Sequence, residues 1–126
     1  MAMRLPGFVP GRHKIDSYGE GGFRFAEMSH RGSILALPSG VYATPLRSAA
    51  DIDEAAIARV FAEPKQAIEF LIVGTGVNLL PLPPGLRSKL RAAGMACETM
   101  ATGAGVRTYN MLLDEDRRVA ALLIAV

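Results

Sequence analysis

The chain has 126 residues, half of them apolar, a formal net charge of +2 and one cysteine. That length fits a single domain that buries roughly two-thirds of its unfolded surface and needs no staples. The slight basic excess is too small to argue for nucleic acid, which needs a clustered basic face. The lone Cys97 excludes an internal disulfide and a multi-cysteine zinc site and fits a reducing compartment. No apolar run approaches the ~20 residues of a membrane span. Met1 to Lys14 lacks the hydrophobic centre of a secretory signal. The expectation is a cytoplasmic protein without a transmembrane segment.

Residues 1–14, rich in Gly, Pro and basic side chains, read as a flexible arm that Phe8 and Val9 tie to the body. Residues 15–126 read as one domain. Ile15 to Tyr18 and Phe23 to Phe25 alternate as half-exposed strands do. The glycines of Gly19-Glu20-Gly21-Gly22 supply positive φ for a hairpin turn between them. His30-Arg31-Gly32 turns the chain into an apolar strand, Ser33 to Leu37, which Pro38 and Gly40 stop. Asp51 to Ala62 has the pattern of a helix, with Asp51 as N-cap, Glu54 reaching back in a capping box, and Ala56, Ile57, Val60 and Phe61 on one face.

The run Glu69 to Val73 is continuously apolar after its first residue and stops at Gly74-Thr75-Gly76. It reads as a strand buried on both faces, ending where the backbone is free to turn. Pro83 and Pro84 open a helix in which Leu86 and Leu90 face inward, with Gly94 after its end. Met95 to Met100 is a strand, Thr102 caps a helix running to about Asp114, and Val119 to Ala125 is a last strand. The order ββ-β-α-β-α-β-α-β predicts a three-layer α/β domain. Its centre is a mixed, mostly parallel sheet flanked by helices, and a β-hairpin is added at the N-terminal side. If the strands at 33–37 and 70–73 are parallel, the crossover between them is right-handed.

Ligands of open α/β sheets sit at the carboxyl ends of the strands, which directs attention to Gly74, Thr75 and Gly76. They do not make a dinucleotide fingerprint: the third glycine's place is Leu79, and prolines delay the helix. The glycines serve a tight turn and close packing, or their N–H groups hold a small anion. Thr102-Gly103-Ala104-Gly105 opens the next helix with small residues. Asn110 is a poor helix former at mid-helix, so its amide either satisfies buried backbone groups or contacts a ligand. Arg107 pairs with Glu98 or Asp114, or grips an anion bidentately. Arg87, Lys89 and Arg91 form a basic helix face, solvated or turned toward an acidic partner. Cys97 reads as an inert core thiol. His13 and His30 lack ligand spacing, so no metal is expected. No catalytic constellation and no cofactor motif is visible.

Taken together, several pieces resemble a known family. They are the Ile15 to Tyr18 strand, Gly74-Thr75-Gly76 after a buried strand, Glu98 with Thr102, and Arg107-Thr108-Tyr109-Asn110 followed by Leu113, Glu115 and Arg117. The family is the small, uncharacterised, Mth938-like α/β domains of prokaryotes, whose mitochondrial relatives include the third assembly factor of respiratory complex I. The resemblance covers nearly everything after residue 14. It implies a single α/β domain, no established enzymatic activity, and a protein partner peripheral to membrane-complex assembly. Two positions depart from the family pattern. Ala101 stands where Asp is common, which weakens any catalytic scheme that uses that acid. Gly105 stands where Ala is frequent, which is expected to open the helix N-terminus. The reading is therefore a non-enzymatic interaction or assembly protein. The alternative is a small-molecule or anion-binding protein, or an enzyme, using the crevice between Gly74-Thr75-Gly76 and Thr102, Arg107 and Asn110.

Overall fold

The computed structural model describes residues 8–126, so the first half of the expected arm lies outside the described residues. Its elements in order are β1 (Phe8–Pro10), β2 (Ser17–Gly19), β3 (Gly22–Phe25), β4 (Met28–Arg31), β5 (Ser33–Leu37), β6 (Gly40–Thr44), a 3-10 turn at Ala49–Asp51, α1 (Ala58–Ala62), β7 (Phe70–Gly74), α2 (Pro84–Ala92), β8 (Ala96–Met100), α3 (Thr102–Asp114) and β9 (Val119–Leu123). The six-stranded central sheet has the order β1-β6-β5-β9-β7-β8, and β2-β3-β4 form a second, three-stranded sheet.

Side chains alternate across the central strands and build a core on each face. Leu35, Leu37, Leu71, Val73, Ala120 and Leu122 face Val60 of α1 with Ile57 at its N-cap, and Leu86 and Leu90 of α2. Ile34, Ala36, Ile72, Ala121 and Leu123 face Val106 and Tyr109 of α3 together with Phe23 and Phe25 of the small sheet. The expected three layers are present. β5 and β9 are buried at every position, as continuous apolar runs covered on both faces should be.

The strand directions differ in one respect from expectation. The sheet is mixed, but only β7–β8 and β7–β9 are parallel; β1–β6, β5–β6 and β5–β9 are antiparallel. The last strand inserts between β5 and β7, so no direct parallel crossover joins 33–37 to 70–73. The sequence at β9 is apolar whichever neighbours it has, and gives no sign of this insertion.

The N-terminal hairpin exists and has a third strand. Its first turn places Glu20 and Gly21 at φ of 52° and 79°, and its second places Ala26 and Glu27 at 49° and 61°. Consecutive positive φ values are those of a hairpin turn whose twist matches the strands. The second turn lacks glycine, so composition concealed it, and His30 and Arg31 belong to β4 rather than to a turn. Phe8 and Val9 do tie the arm down, pairing with Tyr42 and Val41 as an edge strand.

The helix expected at 51–62 is shorter. Ser48 takes the N-cap, with Asp51 as the third helical residue completing the capping box. Ile52 turns to extended backbone and is buried. Asp53 Oδ1 then accepts the Ala56 N–H at 2.9 Å, a local bond that competes with the helix. Glu54 caps nothing and pairs with Lys89 across the layer at 2.6 Å. Where β7 begins, Glu69 holds Arg117 and Arg118, and the two guanidiniums keep its carboxyl below the usual range.

Candidate functional site

β7 ends against the start of α3 at glycine contacts. A Cβ added to Gly74 would lie 3.0 Å from the Thr102 Cα and 3.0 Å from Leu123 Cδ2. One added to Gly105 would lie 3.4 Å from the Gly74 Cα. The two glycines therefore let helix and strand approach, and Gly105 is turned into the sheet rather than opening the helix N-terminus as expected. Gly76 follows with φ of +107°, a conformation that disfavours any side chain.

Backbone and hydroxyl groups clasp this junction. The Thr102 N–H donates to the Gly76 carbonyl at 2.8 Å, and the Gly76 N–H donates to Thr102 Oγ1 at 2.9 Å. Thr102 Oγ1 donates in turn to the Ile124 carbonyl at 2.7 Å, so one hydroxyl joins β7, α3 and the end of β9. Thr102 is 0% exposed, and it is the first helical residue rather than the cap: Ala101 takes that place, and the Thr102 hydroxyl is spent on Gly76 and Ile124. Thr75 does similar work in the loop. Its N–H donates to the Met100 carbonyl at 2.8 Å, and its hydroxyl donates to Asn78 O at 2.6 Å while accepting the Leu80 N–H at 3.0 Å. Among the described residues no buried side-chain nitrogen or oxygen lacks a partner.

Asn110 lies further along α3. Its Oδ1 accepts the Ile15 N–H at 2.8 Å and its Nδ2 donates to the Ile15 carbonyl at 2.8 Å. The amide thus pairs with one residue's backbone as a neighbouring strand would, and pins the lead into β2 onto the helix. Asn110→Ala should lower stability by about 1–3 kcal/mol, since it strands both groups of a buried residue. A chemical melt checks it, and a loss of only a few tenths would contradict the role.

Arg107 is not part of this network. It is exposed and forms neither expected ion pair: Asp114 bonds Lys14 at 3.0 Å, and Glu98 is exposed on edge strand β8. Nor does Glu98 meet Arg117, which is engaged by Glu69. The structure thus brings together Gly74, Thr75, Gly76 and Thr102, sets Asn110 to a different segment, and leaves Arg107 outside. Three grooves among the described residues, of about 670, 480 and 470 Å³, lie elsewhere and are not lined by Thr75, Arg107 or Asn110. Burial pushes the Tyr109 hydroxyl up to about 12 and raises the Cys97 thiol, so neither is activated near neutrality.

On the basic helix, Lys89 is taken by Glu54, Arg87 donates to the Cys97 carbonyl at 3.3 Å, and Arg91 is exposed. The loop that follows Gly76, Val77 to Pro81, has the apolar content its sequence shows and keeps it at the surface. Val77 is 79% exposed, Leu79 63% and Leu80 44%. The pattern was readable, because three aliphatic residues between a glycine turn and a proline run have no helical or strand period to bury them.

No described helix is long and apolar enough to cross a membrane. A solved structure of an outer membrane protein from Bartonella henselae is 54% identical, with a TM-score of 0.88 over 93% of this chain and 98% of that one. A Bordetella pertussis protein described as a Mth938-like domain is 28% identical, with a TM-score of 0.74 over 98% of this chain and 92% of that one. The mouse NADH dehydrogenase [ubiquinone] 1 alpha subcomplex assembly factor 3 is 33% identical over 111 residues, covering 87% of this chain and 59% of its own length. The chain therefore spans about three-fifths of that assembly factor. The model of the family described as "Protein of unknown function (DUF498/DUF598)" matches residues 15–124. The chain belongs to that family.

Proposed function

We propose that this protein is a non-enzymatic interaction or assembly factor that works in the cytoplasm on a protein partner; the mouse relative is by name an assembly factor. The observation that carries the reading is the state of the junction's threonines and of Asn110 further along α3. Thr75, Thr102 and Asn110 have their polar side-chain atoms bonded to this chain's own backbone. A binding or catalytic site would hold such atoms ready for a ligand. The apolar surface that an interaction protein needs is offered instead by Val77, Leu79 and Leu80.

The test replaces Val77, Leu79 and Leu80 together by Ser. Being exposed, they should change stability by less than about 0.5 kcal/mol each. Capture of partners from native cells should be lost while the melt is unchanged. Recovery of the same partners would remove the loop from the account.

A second reading has one specific observation behind it. α3 begins without a side-chain cap or an acidic residue in its first turn, and Arg107 stands exposed on the same helix. A small anion at that end would make the crevice a binding site. Shifts of the Gly103 and Ala104 amides on adding inorganic phosphate, abolished by Arg107→Ala, would favour it.

A further inference from the structure

The central sheet has two edges of different character. β1 is three residues long and ends in Pro10, which has no N–H to offer. β8 is five residues long, without proline or lysine. Its Ala96 N–H donates to the Glu69 carbonyl at 2.9 Å, and its Met100 carbonyl accepts the Thr75 N–H at 2.8 Å. The even-numbered residues therefore point their backbone groups at β7. Cys97 and Thr99, between them, present theirs to the open side. Among the described residues only the Arg87 guanidinium reaches these groups, at the Cys97 carbonyl.

Beside this edge runs a groove of about 480 Å³, lined by Arg87 and Arg91 of α2, by Met95, and by Ala96, Cys97 and Glu98 of β8. Neither arginine has a carboxylate partner among the described residues, whereas Lys89 on the same helix does. Two guanidiniums against the one carboxylate of Glu98 leave the groove net positive, and both arginines stand on the face of the sheet toward which Cys97 packs. The other face of the edge carries the exposed Glu98, in register with Ile72.

These features select an occupant. A second copy of this chain is disfavoured. The antiparallel register that pairs Cys97 of one copy with Thr99 of the other sets Glu98 opposite Glu98, and directly opposed like charges destabilise. We propose that β8 is the docking edge for an extended, acidic segment of another protein, which adds a strand to the sheet and sends its carboxylates toward Arg87 and Arg91. The inference rests on the interaction reading for its premise of a protein partner, but not on the Val77–Leu80 loop.

The probe is a pair of synthetic octapeptides, capped at both ends, with Val and Thr alternating with Glu in one and with Lys in the other. In the free protein the Cys97 and Thr99 amides should exchange rapidly while those of Ala96 and Glu98 are protected. The Glu peptide should shift and protect the Cys97 and Thr99 amides. The Lys peptide, and the R87E/R91E variant with the Glu peptide, should each bind at least about tenfold more weakly. An R87K/R91K variant, which keeps the charge, should retain most of the binding, and the melts of both variants control for folding. Equal binding of the two peptides, shifts mapping away from β8, absence of binding at millimolar peptide, or unchanged affinity of R87E/R91E would overturn the proposal. So would protection of Thr99 that grows with protein concentration alone, which would assign the edge to a second copy. Loop variants at Val77, Leu79 and Leu80 should bind the Glu peptide normally, so failure of one idea is distinguishable from failure of the other.

Discussion

Thr102→Val is expected to destabilise the protein by about 2–4 kcal/mol, near the top of the range for a single side-chain oxygen. The replacement keeps shape and volume, so packing is nearly constant and the hydroxyl alone is tested. Its loss leaves the Gly76 N–H without its acceptor and the Ile124 carbonyl without its donor, both beside a residue that is 0% exposed. Thr102→Ser retains the hydroxyl and should lose no more than about 1 kcal/mol, the price of a buried methyl group. Urea titrations with unchanged slope would report this as a change in stability alone. Equal losses for Val and Ser would show that the clasp contributes little.

Gly74→Val should cost about 3 kcal/mol or more through overpacking. The first added atom already lies 3.0 Å from the Thr102 backbone, and the branch adds two more methyl groups. A backbone atom cannot swing aside, so α3 must lift from β7. Gly105→Ala should be milder, because its closest contact, at 3.2 Å, is the end of the Leu123 side chain. The pair Gly74→Ala and Gly105→Ala should lose more together than the sum of the two, since each new Cβ fills the gap the other needs. Thermal melts of the two single variants and the double variant give the comparison; strict additivity would mean that helix and strand have slack between them.

Much of the fold was legible in the sequence where a pattern has a local cause. β5, β7 and β9 announce themselves as apolar runs, and α2 by its prolines and the Leu86–Leu90 spacing. What stayed hidden depends on distant partners or unusual turns. The insertion of β9 between β5 and β7 rests on long-range pairing with both neighbours, which leaves no local mark. β4 has no mark in the sequence, because Ala26 and Glu27 adopt positive φ without any glycine to signal the turn. The long helix from Asp51 failed because Ser48 capped earlier and Asp53 bonded its own neighbours.

The candidate site divides along the same line. That Asn110 must satisfy backbone groups follows from its poor helix propensity, but that the groups belong to Ile15, 95 residues away, does not. The meeting of Gly74-Thr75-Gly76 with Thr102 was foreseeable because β7 and α3 pack in adjoining layers. Arg107 misled because residue spacing on one helix face offered Asp114, while the actual partner of Asp114 is Lys14 from the arm.

The account stands on the junction's polar groups being internal fasteners. Amide hydrogen exchange by NMR, with and without inorganic phosphate, tests this most directly. The Gly76 and Ile15 N–H groups, held by Thr102 and Asn110 side chains, should exchange only through global unfolding and ignore phosphate. Fast exchange at these two amides, together with phosphate-dependent shifts there, would contradict the account and make the junction a ligand site.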